Sequence, residues 1–153
     1  MDPDTHAQIV EILDDVCDMT IATLRPDGFP QANVVSFVHD DLRLYFMTVA
    51  GSQKALNIAH SDKVSGAVTR SYEQWDEIEG LSFAGHASQV TDADETARVN
   101  ELMLARFPQI VELEPPEPVE VTLFRVDVVV FSVLDYSQVF GHSELVEVQA
   151  HLT

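Results

Sequence analysis

Hydrophobic positions along this chain recur with two different periods, and the change of period separates its elements. Between about 4 and 17 the apolar residues return every three to four positions, which is the spacing of one helix face. From residue 19 onward, short runs of β-branched and aromatic residues alternate with turn residues, which is typical of strands. The pattern therefore predicts an amphipathic helix followed by a mostly β chain. The apolar stripe of that helix is Ile9, Val10, Leu13, Val16 and Cys17.

Six segments have the composition of strands. They are about 19–24, 32–38, 42–48, 64–69, 81–90 and 119–134. Pro26-Asp27-Gly28 and His39-Asp40-Asp41 supply turns at hairpin spacing, and the small residues Ala84 and Gly85 indicate a bend or a close approach. Antiparallel strands avoid exposed edges by closing on themselves. The predicted fold is mainly β, a six-stranded antiparallel barrel with a few short helices, in one domain spanning residues 1–153.

Two further helices and one loop complete the predicted order of elements. One helix covers about 52–60, and another covers about 93–106, where Asp92 and Glu95 form a capping box. The segment Glu112–Pro118 contains three prolines, which exclude a helix or a central strand. We expect it to be an exposed loop.

The acidic composition of the chain argues against two classes of binding partner, nucleic acids and anionic membranes. The chain has 26 acidic and eight basic residues and a formal net charge of -18, whereas nucleic acids and anionic lipids are bound by clusters of lysine and arginine. No run approaches the ~20 apolar residues of a membrane-spanning helix. Met1–His6 is acidic and lacks the basic and apolar regions of a secretory leader. We expect a cytoplasmic protein that binds neither nucleic acid nor membrane.

Cysteine and histidine give little sign of metal or nucleophile chemistry. Cys17 is the one cysteine, so it forms no internal disulfide, and its expected role is to fill the core. The six histidines include no pair at the spacing of a zinc or iron site, so we expect no metal site. The glycine-rich and serine motifs of dinucleotide-binding proteins, nucleoside triphosphatases and serine hydrolases are also missing.

The stretch from Leu44 to Lys54 is the strongest candidate for a binding site. An apolar strand runs through Gly51 into Ser52, which is placed to begin a helix, and Lys54 follows two residues later. A helix N-terminus presents unpaired N–H groups, and here a hydroxyl and an ammonium lie beside them, which favours an anion such as phosphate. Lys54 is one of only two lysines in the chain. The alternative is an ordinary capped helix with a surface lysine.

The order of these motifs resembles the pyridoxamine 5′-phosphate oxidase-like family of FMN-binding split barrels. The shared order is strand, Pro-Asp-Gly turn, strand, turn, a strand ending in Tyr-Phe-Met-Thr, then Gly-Ser-Gln-Lys and a helix, over residues about 19–90. Residues 133–142 are similar to the C-terminal strand and tail of short members called general stress proteins. The resemblance implies a split barrel, FMN as the cofactor, and a homodimer with one FMN in each of two grooves between the subunits.

The resemblance also implies roles for individual residues. Thr48, Ser52 and Lys54 match the residues that hold the FMN phosphate, and Gln53 stands where many members have arginine. The second strand lies along the isoalloxazine ring, mostly through its backbone, and Met47 meets the ring from the third strand. The second-strand residues are Asn33, Val34, Val35 and Ser36. Trp75, or one of its neighbours in the loop 72–79, closes over the flavin from the partner subunit. No catalytic side chain is assigned.

Departures from the family pattern argue against pyridoxamine phosphate oxidase activity. The true oxidases open the second strand with an arginine, where Ala32 and Asn33 stand here, and their substrate-binding lysine aligns with Phe37. Their C-terminal arginine-x-histidine pair is also missing. The implied function is an FMN-dependent oxidoreductase, other than pyridoxamine phosphate oxidase, that reduces a small organic substrate with NAD(P)H. The alternatives are a non-catalytic flavin-binding or stress-response module, or deazaflavin or haem in the same groove. His86 either faces that groove or is a hydrogen-bonded core or interface histidine.

Overall fold

The computed structural model describes residues 1–113 and 117–148, which form three α-helices and seven strands. The helices are α1 (Pro3–Asp15), α2 (Gln53–His60) and α3 (Ala93–Arg106). The strands are β1 (Asp18–Leu24), β2 (Pro30–Asp40), β3 (Arg43–Val49), β4 (Lys63–Thr69), β5 (Glu79–Gln89), β6 (Val121–Asp135) and β7 (Ser143–Glu147). Short 3₁₀ turns lie at Trp75–Glu77 and Pro108–Glu112. In this part of the chain, no helix is long and apolar enough to cross a membrane.

The first six strands close into an antiparallel barrel. Neighbours follow the order β3-β2-β1-β4-β5-β6-β7, and an additional β3–β6 pairing joins the two sides. The predicted six-stranded barrel with short helices is therefore confirmed. β7 was not predicted: it pairs with β6 outside the closed ring, and of its five residues only Val146 is buried.

The barrel is split between β2 and β3. These strands pair only where Phe37–Asp40 faces Arg43–Phe46. Beyond that point β2 stays with β1 as far as Pro30, while β3 continues along β6 as far as Val49. One edge of β2 residues 30–36 therefore has no neighbouring strand among the described elements. The short helix α2 follows β3 directly and is anchored across to β1 and β2.

Two apolar clusters hold the helices to the barrel. Ile9, Ile12 and Leu13 of α1 are completely buried among the inward side chains of the strands. On the outer side, α3 packs Val99 and Met103 against a second cluster that includes the buried Tyr45, Val38 and Val90. The Tyr45 hydroxyl donates to Glu95 at 2.9 Å, which fixes the first turn of α3.

The expected bend in β5 is confirmed as a bulge. Ala84 pairs with Val130 and Gly85 with Val128, so that Val129 of β6 is the extra residue without a partner on β5, and the register shifts. A Cβ on Gly85 would lie 2.6 Å from the Asp127 carbonyl oxygen, so only glycine permits this close approach.

The structure places Cys17 differently from the sequence-based expectation and describes only part of the expected loop Glu112–Pro118. Cys17 was expected in the core, but it is exposed, because α1 ends at Asp15 and the cysteine lies in the connection to β1. Of the expected exposed loop Glu112–Pro118, Glu112 and Leu113 are exposed and end a 3₁₀ turn, whereas residues 114–116 lie outside the described residues.

Candidate phosphate and cofactor site

Three residues from β3 and the start of α2 meet as the sequence predicts. Gly51 has a φ of 74°, which glycine adopts readily, and it turns the chain so that Ser52 becomes the N-cap of α2. Ser52 Oγ accepts from the Ala55 amide at 3.3 Å and lies 3.1 Å from Thr48 Oγ1. Lys54 Nζ donates to Thr48 Oγ1 at 3.3 Å. Thr48, Ser52 and Lys54 together are the candidate site for an anion, called the anion site below.

Lys54 is a cation without an acidic partner. Partial burial lowers the pKa of its ammonium, and the described residues provide no ion pair for it. The arginines differ: Arg106 donates to backbone carbonyls, and the other five bind carboxylates. Those five are Arg25, Arg43, Arg70, Arg98 and Arg125. A partly desolvated ammonium beside two hydroxyls and a helix N-terminus suits an anion.

A buried amide fixes the helix that carries the anion site. Asn57 is completely buried and donates to Thr23 Oγ1 at 2.9 Å and to Gln31 Oε1 at 3.0 Å, which ties α2 to β1 and β2. Its own oxygen accepts from Gln53 Nε2 at 2.8 Å. The side chain of Gln53, a predicted cofactor residue, is thus turned along the helix toward Asn57. Sequence reasoning missed Asn57, whose only signal was an amide among the apolar residues of the helix.

The predicted β2 residues point in alternating directions. Val35 faces the core, while Val34 is 72% exposed on the outer surface and Ser36 donates to Asp18 at 2.6 Å. Asn33 carries the most informative atom, because its Oδ1 is buried and has no hydrogen-bond partner among the described residues. Buried acceptors of this kind are rare unless a ligand or water satisfies them. The open edge of β2 adds unpaired backbone groups nearby.

Met47 and Trp75 pack in two different clusters of side chains. Met47 is half-buried and packs against the cluster that β3 shares with α3. Trp75 is 68% exposed in its 3₁₀ turn, and its ring lies 6.5 Å from Tyr136 and 6.1 Å from Phe140, centroid to centroid. The chain therefore brings Thr48, Ser52 and Lys54 together and places Trp75 in a separate exposed aromatic cluster.

The outer surface of the barrel carries an uncharged face. In register across β2, β1, β4, β5, β6 and β7, one row of outward positions reads Val34, Thr20, Ala67, Ser82, Ser132 and Leu145. The next row reads Ala32, Ala22, Ser65, Ala84 and Val130, and on β7 it ends at the exposed, charged Glu147. The eleven residues of the two rows without Glu147, the small-residue face, include no charge, in a chain whose net charge is -18.

The comparisons with known proteins agree with this architecture. The sequence model of the pyridoxamine 5′-phosphate oxidase family matches residues 5–139, so the chain belongs to that family. No curated protein matches the sequence. Among the described residues, no group of three or more His, Cys, Asp or Glu side chains is arranged to hold a metal ion.

Solved structures share the fold at low sequence identity. General Stress Protein 26 from Bacillus anthracis matches at 20% identity and a TM-score of 0.68, covering 94% of this chain and 98% of that one. A haem-binding protein from Mycobacterium smegmatis matches at 17% and 0.76, covering 96% and 59%. HutZ, the haem storage protein from Vibrio cholerae, matches at 22% and 0.65, covering 80% and 88%. These likenesses establish the fold, and two of the three proteins are named for haem.

Proposed function

We propose that this protein binds FMN through the anion site and acts as an FMN-dependent oxidoreductase. The observation that carries the proposal is the convergence of Thr48, Ser52 and Lys54 at the N-terminus of α2. A phosphate ester there gains two hydroxyls, the first amides of the helix and an ammonium that no carboxylate neutralises. Binding a phosphate would offset the desolvation that lowers the pKa of Lys54.

The surroundings also fit the rest of the cofactor. The ribityl chain of FMN carries hydroxyl donors, and the buried Oδ1 of Asn33 is an acceptor without a donor. The open edge of β2 offers backbone groups to the polar edge of a flavin ring, and the exposed Val34 offers apolar contact. FMN supplies hydride and electron transfer, while the chain supplies binding and orientation, so no catalytic side chain is required.

We further propose a homodimer, in which the small-residue face meets its copy. Like charge opposes association of two chains with a net charge of -18 each, so an uncharged face is where they approach at least cost. Val34 and Leu145, which are 72% and 77% exposed, flank that face with apolar surface. In such a dimer, Trp75 of the partner subunit closes over the flavin.

The substrate is a small organic molecule other than pyridoxamine phosphate, reduced with NAD(P)H. Phe37 occupies the position where the true oxidases have a substrate-binding lysine. It is completely buried, and it carries the guanidinium of Arg106 5.3 Å above its ring. This position therefore offers a substrate phosphate no contact.

The visible absorption spectrum of the purified protein, followed by an FMN titration, tests the proposal. We expect flavin absorption bands, or saturable quenching of flavin fluorescence with a dissociation constant in the micromolar range or lower. If the protein does not bind FMN but gives a Soret band with haemin or a spectral shift with deazaflavin, that ligand replaces FMN in the proposal. Steady-state NAD(P)H oxidation by the flavin-loaded protein tests the oxidoreductase assignment separately, because a non-catalytic flavin module shows none.

A further inference from the structure

We infer that two histidine–aspartate contacts form a pH-sensitive clasp between α1 and the β2–β3 hairpin, which is complete only while His39 is protonated. Each of the two elements supplies one histidine and one aspartate. His6 of α1 places Nε2 2.6 Å from Oδ1 of Asp41 in the hairpin turn. In return, His39 of β2 places Nε2 2.9 Å from Oδ1 of Asp14 in α1. The clasp uses no residue of the anion site or of the small-residue face, so it does not rest on the proposed function.

His39 is the residue that makes the clasp sensitive to pH. Its side chain is 9% exposed, and both of its ring nitrogens face oxygen acceptors. Nε2 faces the Asp14 carboxylate, and Nδ1 lies 2.9 Å from the backbone carbonyl oxygen of Asp41. Carbonyl and carboxylate oxygens only accept, whereas a neutral imidazole has a single N–H to donate. Both contacts are therefore made only by the imidazolium cation, and a neutral ring leaves one of them unmade.

The C-terminal end of α1 is negatively charged and is held by cations from other elements. It carries Asp14 and Asp15 as well as the negative end of the helix dipole. Arg106 of α3 donates to two backbone carbonyl oxygens of this turn at 2.7 Å, and Arg70, just after β4, pairs with Asp15. His39 is the third cation. Histidine differs from arginine because it loses its charge between about pH 5 and 8, so this contact is the one that responds to pH near neutrality.

The hairpin end of the clasp is also acidic. Asp41 has a φ of 56°, a left-handed conformation that is uncommon outside glycine, and the clasp holds both its carbonyl and its carboxylate oxygen. The neighbouring Asp40 pairs instead with Arg98 of α3 at 3.1 Å. Arg43, which is opposite Asp40 in the register, binds Asp127 of β6 at 2.8 Å. The Asp41 carboxylate is therefore left to the clasp, where it accepts more strongly from a protonated imidazole than from a neutral one.

A rise in pH should loosen the clasp without releasing α1. The complete clasp holds a proton in the folded chain, so its stabilisation is fully present below the ordinary histidine pKa of about 6.5. It is lost as the pH rises above that value and the ring becomes neutral. The helix itself stays in place, because Ile9, Ile12 and Leu13 are completely buried. The parts that loosen are the last turn of α1 and the hairpin turn.

Urea unfolding of the full chain at pH 6, 7 and 8 tests the proposal. The unfolding equilibrium constant of the wild type should rise by about fivefold or more over this range, because a charged hydrogen bond is stronger than a neutral one. Asp14→Asn should remove most of this rise, since an amide accepts from a protonated ring and donates to a neutral one. Hydrogen exchange, corrected for the intrinsic effect of pH on amide exchange, should locate the change at the last turn of α1 and at the hairpin turn.

The matched control is Asp15→Asn, which makes the same change of charge at the next residue of α1. Asp15 pairs with Arg70, which keeps its charge over this range, so this variant should keep the wild-type rise. The Asp14 and Asp15 side chains are 65% and 47% exposed, so neither substitution disturbs the core. The proposal is overturned if the wild type is equally stable at pH 6 and pH 8, if Asp14→Asn keeps the rise, or if Asp15→Asn loses it to the same extent.

Discussion

Replacing Lys54 by methionine separates the phosphate contribution from the rest of flavin binding. Methionine keeps most of the side-chain stem and removes the ammonium, while Thr48, Ser52 and the helix amides remain. A hydrogen bond to a charged group contributes about 1.5–3 kcal/mol. At about 1.4 kcal/mol for each factor of ten, Lys54→Met should weaken FMN binding by roughly 10- to 150-fold.

The same substitution should not destabilise the protein without ligand. Burial lowers the pKa of Lys54, so its charged form is favoured less in the folded chain than in the unfolded chain. That penalty acts in full at neutral pH and is lost as the pH rises through the lowered pKa. Removing the ammonium removes the penalty, and the melting temperature of the ligand-free variant should equal or exceed that of the wild type.

Fluorescence titrations with FMN and with riboflavin provide the assay, because riboflavin lacks the phosphate. The wild type should prefer FMN, and Lys54→Met should lose most of that preference with little change for riboflavin. Lys63→Met, at the other lysine of the chain, is the control and should change neither. If Lys54→Met weakens both flavins equally, or neither, the phosphate does not lie at the anion site.

Three further substitutions test the fold and the interface. Ala67→Glu places a charge in the middle of the small-residue face and should give the monomer mass in light scattering; a persisting dimer would show that another surface associates. Gly66→Ala drives a methyl group into the Phe83 ring and should cost about 1–3 kcal/mol in urea unfolding, so an unchanged midpoint contradicts the packing. The hydroxyl of Ser137 donates to the buried Asp135 carboxylate and lowers the pKa of that carboxyl. The ionised carboxylate therefore stabilises the fold at pH values above the ordinary pKa of aspartate, which is near 4. This stabilisation is lost as the pH falls through the lowered pKa. The melting temperature of Asp135→Asn should therefore lie below that of the wild type at pH 7 and converge with it in acid, whereas a constant difference would argue against this role.

The strands that sequence predicted are those whose pattern is set locally. Six strands carry runs of β-branched and aromatic residues bounded by turn residues, and each was found. β7 escaped because Val146 alone is buried among its five residues, and its pairing with β6 depends on the turn after Asp135. Cys17 was misplaced because a helical stripe does not reveal where the helix ends.

The same distinction explains the candidate site. The contact between Thr48, Ser52 and Lys54 was predictable because these residues lie within seven consecutive positions, where a turn and a helix start fix their geometry. Asn57 was not predictable, because its partners are 34 and 26 residues away on other strands.

Native mass spectrometry of the protein saturated with FMN tests the central claim most directly, because it reports subunits and bound cofactor together. The account predicts a complex of two chains and two FMN, and, at the lowest FMN concentration that saturates the wild type, a clearly lower FMN occupancy in Lys54→Met. A single chain, a dimer that carries no FMN, or an Lys54→Met dimer with its FMN intact would contradict it.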